Sequence, residues 1–113
     1  MRDQERADRL FHALSDATRR DIVRRTMQHD HSVSALARHY PMSFAAVQKH
    51  VAVLDRAGLV TKRREGRERL VRGNVDAIRR AHFVLDELEA MWRGRLDRFG
   101  EVLAEHPDQG EGR

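Results

Sequence analysis

The chain has 113 residues, with 22 Lys and Arg against 18 Asp and Glu, a formal net charge of +4, seven His, two Pro and no Cys; it is 40% hydrophobic but only 5% aromatic. This length is expected to make one small domain with a modest core, and chains of this size often add apolar burial by pairing with a copy of themselves. The absence of cysteine excludes a disulfide framework, a thiolate zinc site and a thiol nucleophile.

No apolar run approaches the eighteen or so residues of a membrane span, and the opening MRDQERAD has no apolar signal core, so a cytoplasmic protein with no membrane partner is expected. The charge is unevenly spread. Residues 1–42, 43–73 and 74–113 carry net charges of +2, +5 and −3. The middle third is therefore the segment whose field a polyanion would feel.

Ala7, Leu10, Phe11 and Leu14 fall at helical spacing and predict a first helix over 4–14. Asp16 can then cap TRRDIVRRTMQ, a second helix with Ile22, Val23 and Met27 on one face, running to about Gln28. His29-Asp30-His31 reads as a polar break. Ser32 or Ser34 can cap a short third helix with Val33, Leu36, Ala37 and Tyr40 inward, which Pro41 ends. Ser43 caps a fourth, in which Val47, Val51 and Leu54 recur until Ala57-Gly58 closes it.

Two short helices joined by a tight turn form a helix-turn-helix pattern. The segment LVTKRREGRERLVRG then predicts a basic β-hairpin, with strands over 59–64 and 69–72 around Glu65-Gly66-Arg67-Glu68. From Val75 to Ala104 the helical period returns, and Ile78, Ala81, Leu85, Leu88, Trp92, Leu96, Phe99 and Leu103 make one apolar seam. Residues 1–106 are expected to form the folded domain and 107–113, with Pro107 and two glycines, a disordered tail.

Four helices, two strands and a fifth helix, mainly α with a small hairpin, make a winged helix-turn-helix. The stretches HALSDATRRDIV, SALARHYPMSFAAVQKHVAVLDRAGLV and KRREGRERLV resemble the ArsR/SmtB family of bacterial transcriptional repressors over about residues 8–100. The resemblance implies a homodimer built from the first and last helices, double-stranded DNA as partner, an inverted-repeat operator and repression relieved by a signal. Carried onto this chain, that places Leu10, Leu14, Leu85, Leu88, Trp92, Leu96 and Phe99 at the dimer interface.

The resemblance also implies that bases are met by the exposed face at the start of the fourth helix: Phe44, Ala45, Gln48 and Lys49, with Ser43 near a phosphate. The Gln48 amide suits bidentate contact with an adenine edge, and Phe44 and Ala45 suit a thymine methyl. The competing reading of Phe44 is a core aromatic, and His50 is expected on the packed side. In the wing, Lys62, Arg63, Arg64, Arg67 and Arg69 are the candidates for flanking DNA. Strand alternation turns only three or four of them toward it, and Arg67 at the tip is suited to a narrow minor groove.

Metal-sensing members carry a cysteine pair on the third helix or an Asp/His set on the last. Here Ser32 and Ser34 match the cysteines and the last helix has only His82, so no metal sensor and no cofactor are expected. His29, Asp30, His31 and His39 offer nitrogen and oxygen donors, against the plainer reading of exposed polar side chains. The inducer, or a protein partner that replaces it, is left open. No phosphate loop, nucleophile motif or catalytic acid/base pair is present, so an enzyme is not expected. A sequence-blind, nucleoid-type DNA binder is the alternative function.

Overall fold

The computed structural model describes residues 2–105, and the expected tail lies outside them. The chain divides into two compact units, one through Ala81 and one from His82 onward. In order, the elements are α1 (Asp3–Leu14), α2 (Ala17–Gln28), β1 (His31–Ser32), α3 (Val33–Ala37), α4 (Phe44–Arg56), β2 (Val60–Glu65), β3 (Glu68–Gly73) and α5 (Val75–Glu105).

The caps set the helix starts. Asp16 Oδ1 accepts from Arg19 N at 3.0 Å, Ser32 Oγ from Ala35 N at 3.0 Å and Ser43 Oγ from Ala46 N at 3.1 Å. The Asp16 carboxyl is held below the usual range, first by that backbone N–H. At the far end of α4, Gly58 adopts φ +79° while its N–H bonds Asp55 O and Leu59 N–H bonds Leu54 O. These two bonds are a Schellman closure, which favours a residue without Cβ.

The first unit packs around one core: Leu10 and Ala13 of α1, Ile22 and Val23 of α2, Leu36 of α3, Val47, Val51 and Leu54 of α4, Val60 and Val71 of the sheet, and Ala77 and Ala81 of α5. Leu10 is 2% exposed. Its assignment to a dimer interface is therefore corrected, because its side chain is spent inside the protomer and offers no surface to a copy. Leu14 is partly buried against the same core.

Two further expectations change. The sheet has three strands rather than two, in the order β1-β3-β2, all antiparallel, because His31 and Ser32 pair with Val71 and Leu70. The polar break thus contains a strand. Secondly, α3 stops at Ala37, ahead of Pro41, and residues 38–42 turn into α4. The hairpin register pairs Val60 with Gly73 and Glu65 with Glu68. Gly66, at φ +61°, supplies the turn.

The second unit is the continuation of α5. Val84 and Gly94 are half-buried, and no described residue from His82 onward is buried. Phe83, Leu85, Leu88, Met91, Trp92, Leu96, Phe99, Val102 and Leu103 all stand exposed. Among the described residues no helix is long and apolar enough to cross a membrane.

Candidate nucleic-acid interface

The exposed face at the start of α4 follows from its inward face. Val47, Val51 and Leu54 are fully buried, and helical spacing then turns Phe44, Ala45, Gln48 and Lys49 outward together. Phe44 is 47% exposed, so it is a surface aromatic rather than a core residue. Ser43, also exposed, directs its hydroxyl to the Ala46 amide.

Behind this face sits His50, half-buried. Arg19 Nη1 lies 3.3 Å from His50 Nδ1, and a guanidinium only donates, so Nδ1 is the acceptor. Arg19 is fixed in turn by bonds from Nε to Ala13 O at 2.7 Å and from Nη2 to His12 O at 3.1 Å. This anchor from the end of α1 to the middle of α4 carries no sequence signature, since the two partners lie 31 residues apart.

A second anchor joins α2 to the turn after α3. Tyr40 Oη donates to Asp21 Oδ2 at 2.6 Å, and Arg25 Nε donates to the same oxygen at 2.8 Å. The Asp21 carboxyl is held below its ordinary value, chiefly by the Tyr40 hydroxyl and then by Arg25. Burial, followed by the bond to Asp21, pushes the Tyr40 phenol up to about 12.

The five wing cations have different surroundings. Lys62 is half-buried, with Nζ 3.9 Å from Asp55 Oδ2 of α4. Arg63 is held by Asp30 at 3.3 Å and Glu65 at 3.0 Å. Arg64, Arg67 and Arg69 are exposed and make no ion pair among the described residues. Arg64 and Arg69 face each other across the hairpin, and Arg67 stands at its tip beside Gly66.

Asp30 has an unforeseen role. Arg72 grips it with two bonds, Nε to Oδ1 at 2.9 Å and Nη2 to Oδ2 at 3.0 Å, while Arg63 Nη1 lies 3.3 Å from Oδ2. The Asp30 carboxyl is held below the usual range, mainly by Arg72. Arg72, which carried no expected role, thus ties the wing to the loop between α2 and β1. His31 Nδ1 lies 2.9 Å from His29 O, and the two imidazoles are edge-to-face at 6.4 Å. Among the described residues no three His, Asp or Glu side chains come together as a metal-holding group.

The first unit thus carries both an exposed helix start and, on its wing, three arginines without an ion pair among the described residues, groups of the kinds that meet base edges and phosphates. No protein-family model matches the chain. The chain is 35% identical over 101 residues to an HTH-type transcriptional regulator of Mycobacterium tuberculosis, a match covering 89% of this chain and 92% of the relative. Among solved structures, an ArsR-like transcriptional regulator from a Rhodococcus species aligns with TM-score 0.82 and 31% identity over 89% of this chain and 93% of its own. The homodimeric winged helix-turn-helix DNA-binding domain of a possible ArsR-family regulator from Mycobacterium bovis aligns with TM-score 0.63 and 25% identity, covering 76% of this chain and 81% of the other.

Proposed function

Because the chain belongs to the ArsR family of winged helix-turn-helix transcriptional regulators, and is not an enzyme, we propose that it represses transcription as a homodimer on an inverted-repeat operator. The observation that carries this reading is the split of α4 into a fully buried face and an exposed start offering Phe44, Ala45, Gln48 and Lys49. Gln48 reads a base edge, the neighbouring side chains complete the contact, and Arg64, Arg67 and Arg69 of the wing engage flanking DNA. Lys62 and Arg63 act first within the protein, bracing the wing against Asp55 and Asp30. The exposed seam of α5, with Leu85, Leu88, Trp92, Leu96 and Phe99, supplies the dimer contact. Half-site centres are then about 10 base pairs apart or a multiple of that.

Two variants test the division between reading and anchoring, on an operator selected from random DNA. Gln48→Ala is expected to cost about 1–3 kcal/mol on that operator and little on random duplex. Arg67→Ala is expected to weaken both alike and to reduce the salt slope by about one for each phosphate it no longer neutralises. If Gln48→Ala weakens both DNAs equally, Gln48 is not the base reader; if no operator can be selected from random DNA, the sequence-blind binder is the better account.

The signal that relieves repression is not a metal held by thiolates, since the chain has no cysteine. Ser32 Oγ is committed to the Ala35 amide and Asp30 to two arginines. Zinc, copper, nickel and arsenite are accordingly expected to leave operator affinity unchanged within about threefold. Loss of binding at low micromolar metal, restored by chelator, contradicts this.

A further inference from the structure

Away from the reading face, four arginines line an open cleft of about 310 Å³. Arg6 and Arg9 come from α1, Arg56 from the last residue of α4 and Arg80 from the start of α5; Asp55 and Gly58 complete this side of the wall. None of the four arginines makes an ion pair among the described residues. The one carboxylate, Asp55, has Lys62 Nζ at 3.9 Å as a counter-charge outside the lining.

Gly58 helps to shape the cleft. A Cβ built there would lie 3.0 Å from Arg80 Nη2, so the bare glycine that closes α4 also leaves room for the Arg80 guanidinium. The cleft is remote from the bases on its own helix. The 13 residues of α4 put about 20 Å between Ser43 and Arg56 at 1.5 Å per residue.

Four unpaired guanidiniums around one cavity repel one another, and an occupant carrying several negative charges removes that cost. Their planar forks match the oxygens of phosphate and carboxylate groups, which they bind bidentately. The volume is at the small end for ligand sites, and five of the seven lining residues are charged, with Ala57 and Gly58 the others, which disfavours a hydrophobic inducer.

We propose that this cleft is an effector site for a compact polyvalent anion, a phosphorylated or polycarboxylate metabolite. The proposal rests on the regulator reading, because the anion joins the end of the recognition helix to α1 and α5 and so biases how α4 is held. Its occupancy is measurable without DNA.

Inorganic pyrophosphate and citrate, titrated separately into the full chain by calorimetry at matched ionic strength, distinguish the two ligand chemistries. At least one is expected to bind saturably, at one site per protomer. Arg9→Gln with Arg80→Gln, and independently Arg6→Gln with Arg56→Gln, should weaken that binding about tenfold or more. Arg64→Gln with Arg67→Gln on the wing should leave it unchanged. Circular dichroism and size-exclusion chromatography verify that each variant remains folded.

At saturating anion, operator affinity is expected to change by about fivefold or more in the wild type and not in the cleft variants. Absence of saturable binding by either anion overturns the proposal. So does equal weakening by the wing pair, which would mark a diffuse ion atmosphere. A change in oligomeric state of the cleft variants without anion binding overturns it too, by assigning the arginines to acidic groups of a second copy. Binding that leaves operator affinity unmoved removes the effector role. Failure to select any operator, with anion binding intact, strikes the regulator reading instead.

Discussion

Residues 2–81 and the stretch of α5 from His82 to Glu105 use similar apolar side chains to opposite ends. In the first, Leu10, Ile22, Leu36, Val51 and Leu54 are at most 2% exposed. In the second, Leu88 is 57% and Trp92 54% exposed, and nothing described is buried. The first unit satisfies its hydrophobic pattern within one chain, whereas the second carries an amphipathic seam without a partner in the protomer. Helical periodicity tells where an apolar stripe lies. It does not tell which molecule covers it.

Breaking the second half gives the largest expected effect. Leu88→Glu with Trp92→Glu should remove about 3–6 kcal/mol of association per protomer, at roughly 1.5–3 kcal/mol per large side chain, and leave a folded monomer with weak operator binding. Light scattering across micromolar concentrations checks this, and a wild-type monomer there would sink both the dimer and the symmetric operator. Breaking the first half should act differently. Leu10→Ala is expected to cost about 2–5 kcal/mol of protomer stability through a core cavity. Its destabilisation in urea should persist in the Leu88/Trp92 variant; if instead Leu10→Ala dissociates a dimer without loosening the protomer, the division between the halves is wrong.

Smaller effects probe how the helix-turn-helix is held. Tyr40→Phe removes the hydroxyl bond to Asp21 and should cost about 1 kcal/mol in denaturant unfolding. Because the folded phenol is raised to about 12, its stabilising share is fully present below the ordinary tyrosine value of about 10. It is lost as pH rises through the folded value. The wild-type advantage over Tyr40→Phe should therefore vanish in strong alkali.

Asp30→Asn should have the smallest effect on stability, as an exposed ion pair. It frees Arg72 while Arg63 stays held by Glu65, so non-specific DNA affinity should rise and its salt slope should steepen by about one or two per dimer. The Asp30 carboxyl is lowered, so its clasp stands above the usual carboxylate range and fails only as pH falls through the folded value. An unchanged salt slope in Asp30→Asn would show that Arg72 does not turn to DNA when released.

The helices were legible where local chemistry determines them. Asp16 and Ser43 announce their helices, and the spacing of Val47, Val51 and Leu54 marks the inward face of α4. The strand β1 was not legible, because two residues carry no measurable period and their partners, Val71 and Leu70, lie some forty positions away. The same distance hid the Asp30–Arg72 clasp. Which wing arginines stay unpaired is decided by this remote carboxylate together with Glu65 inside the run KRREGR, which also holds Arg63. Leu10 was misplaced for a related reason: a helix with one apolar stripe supplies its own core before it supplies a neighbour.

The order β1-β3-β2 leaves β2 at the border of the sheet, with one row of backbone groups unmatched by another strand. Such a border invites strand addition from other molecules, and charged side chains are a common safeguard. Lys62, Arg63 and Arg64 lie along it. The basic run is therefore expected to guard solubility as well. Replacing all three with threonine should turn clear solutions of the DNA-free protein turbid on concentration, well before any loss of helix content, and added duplex should offer little rescue.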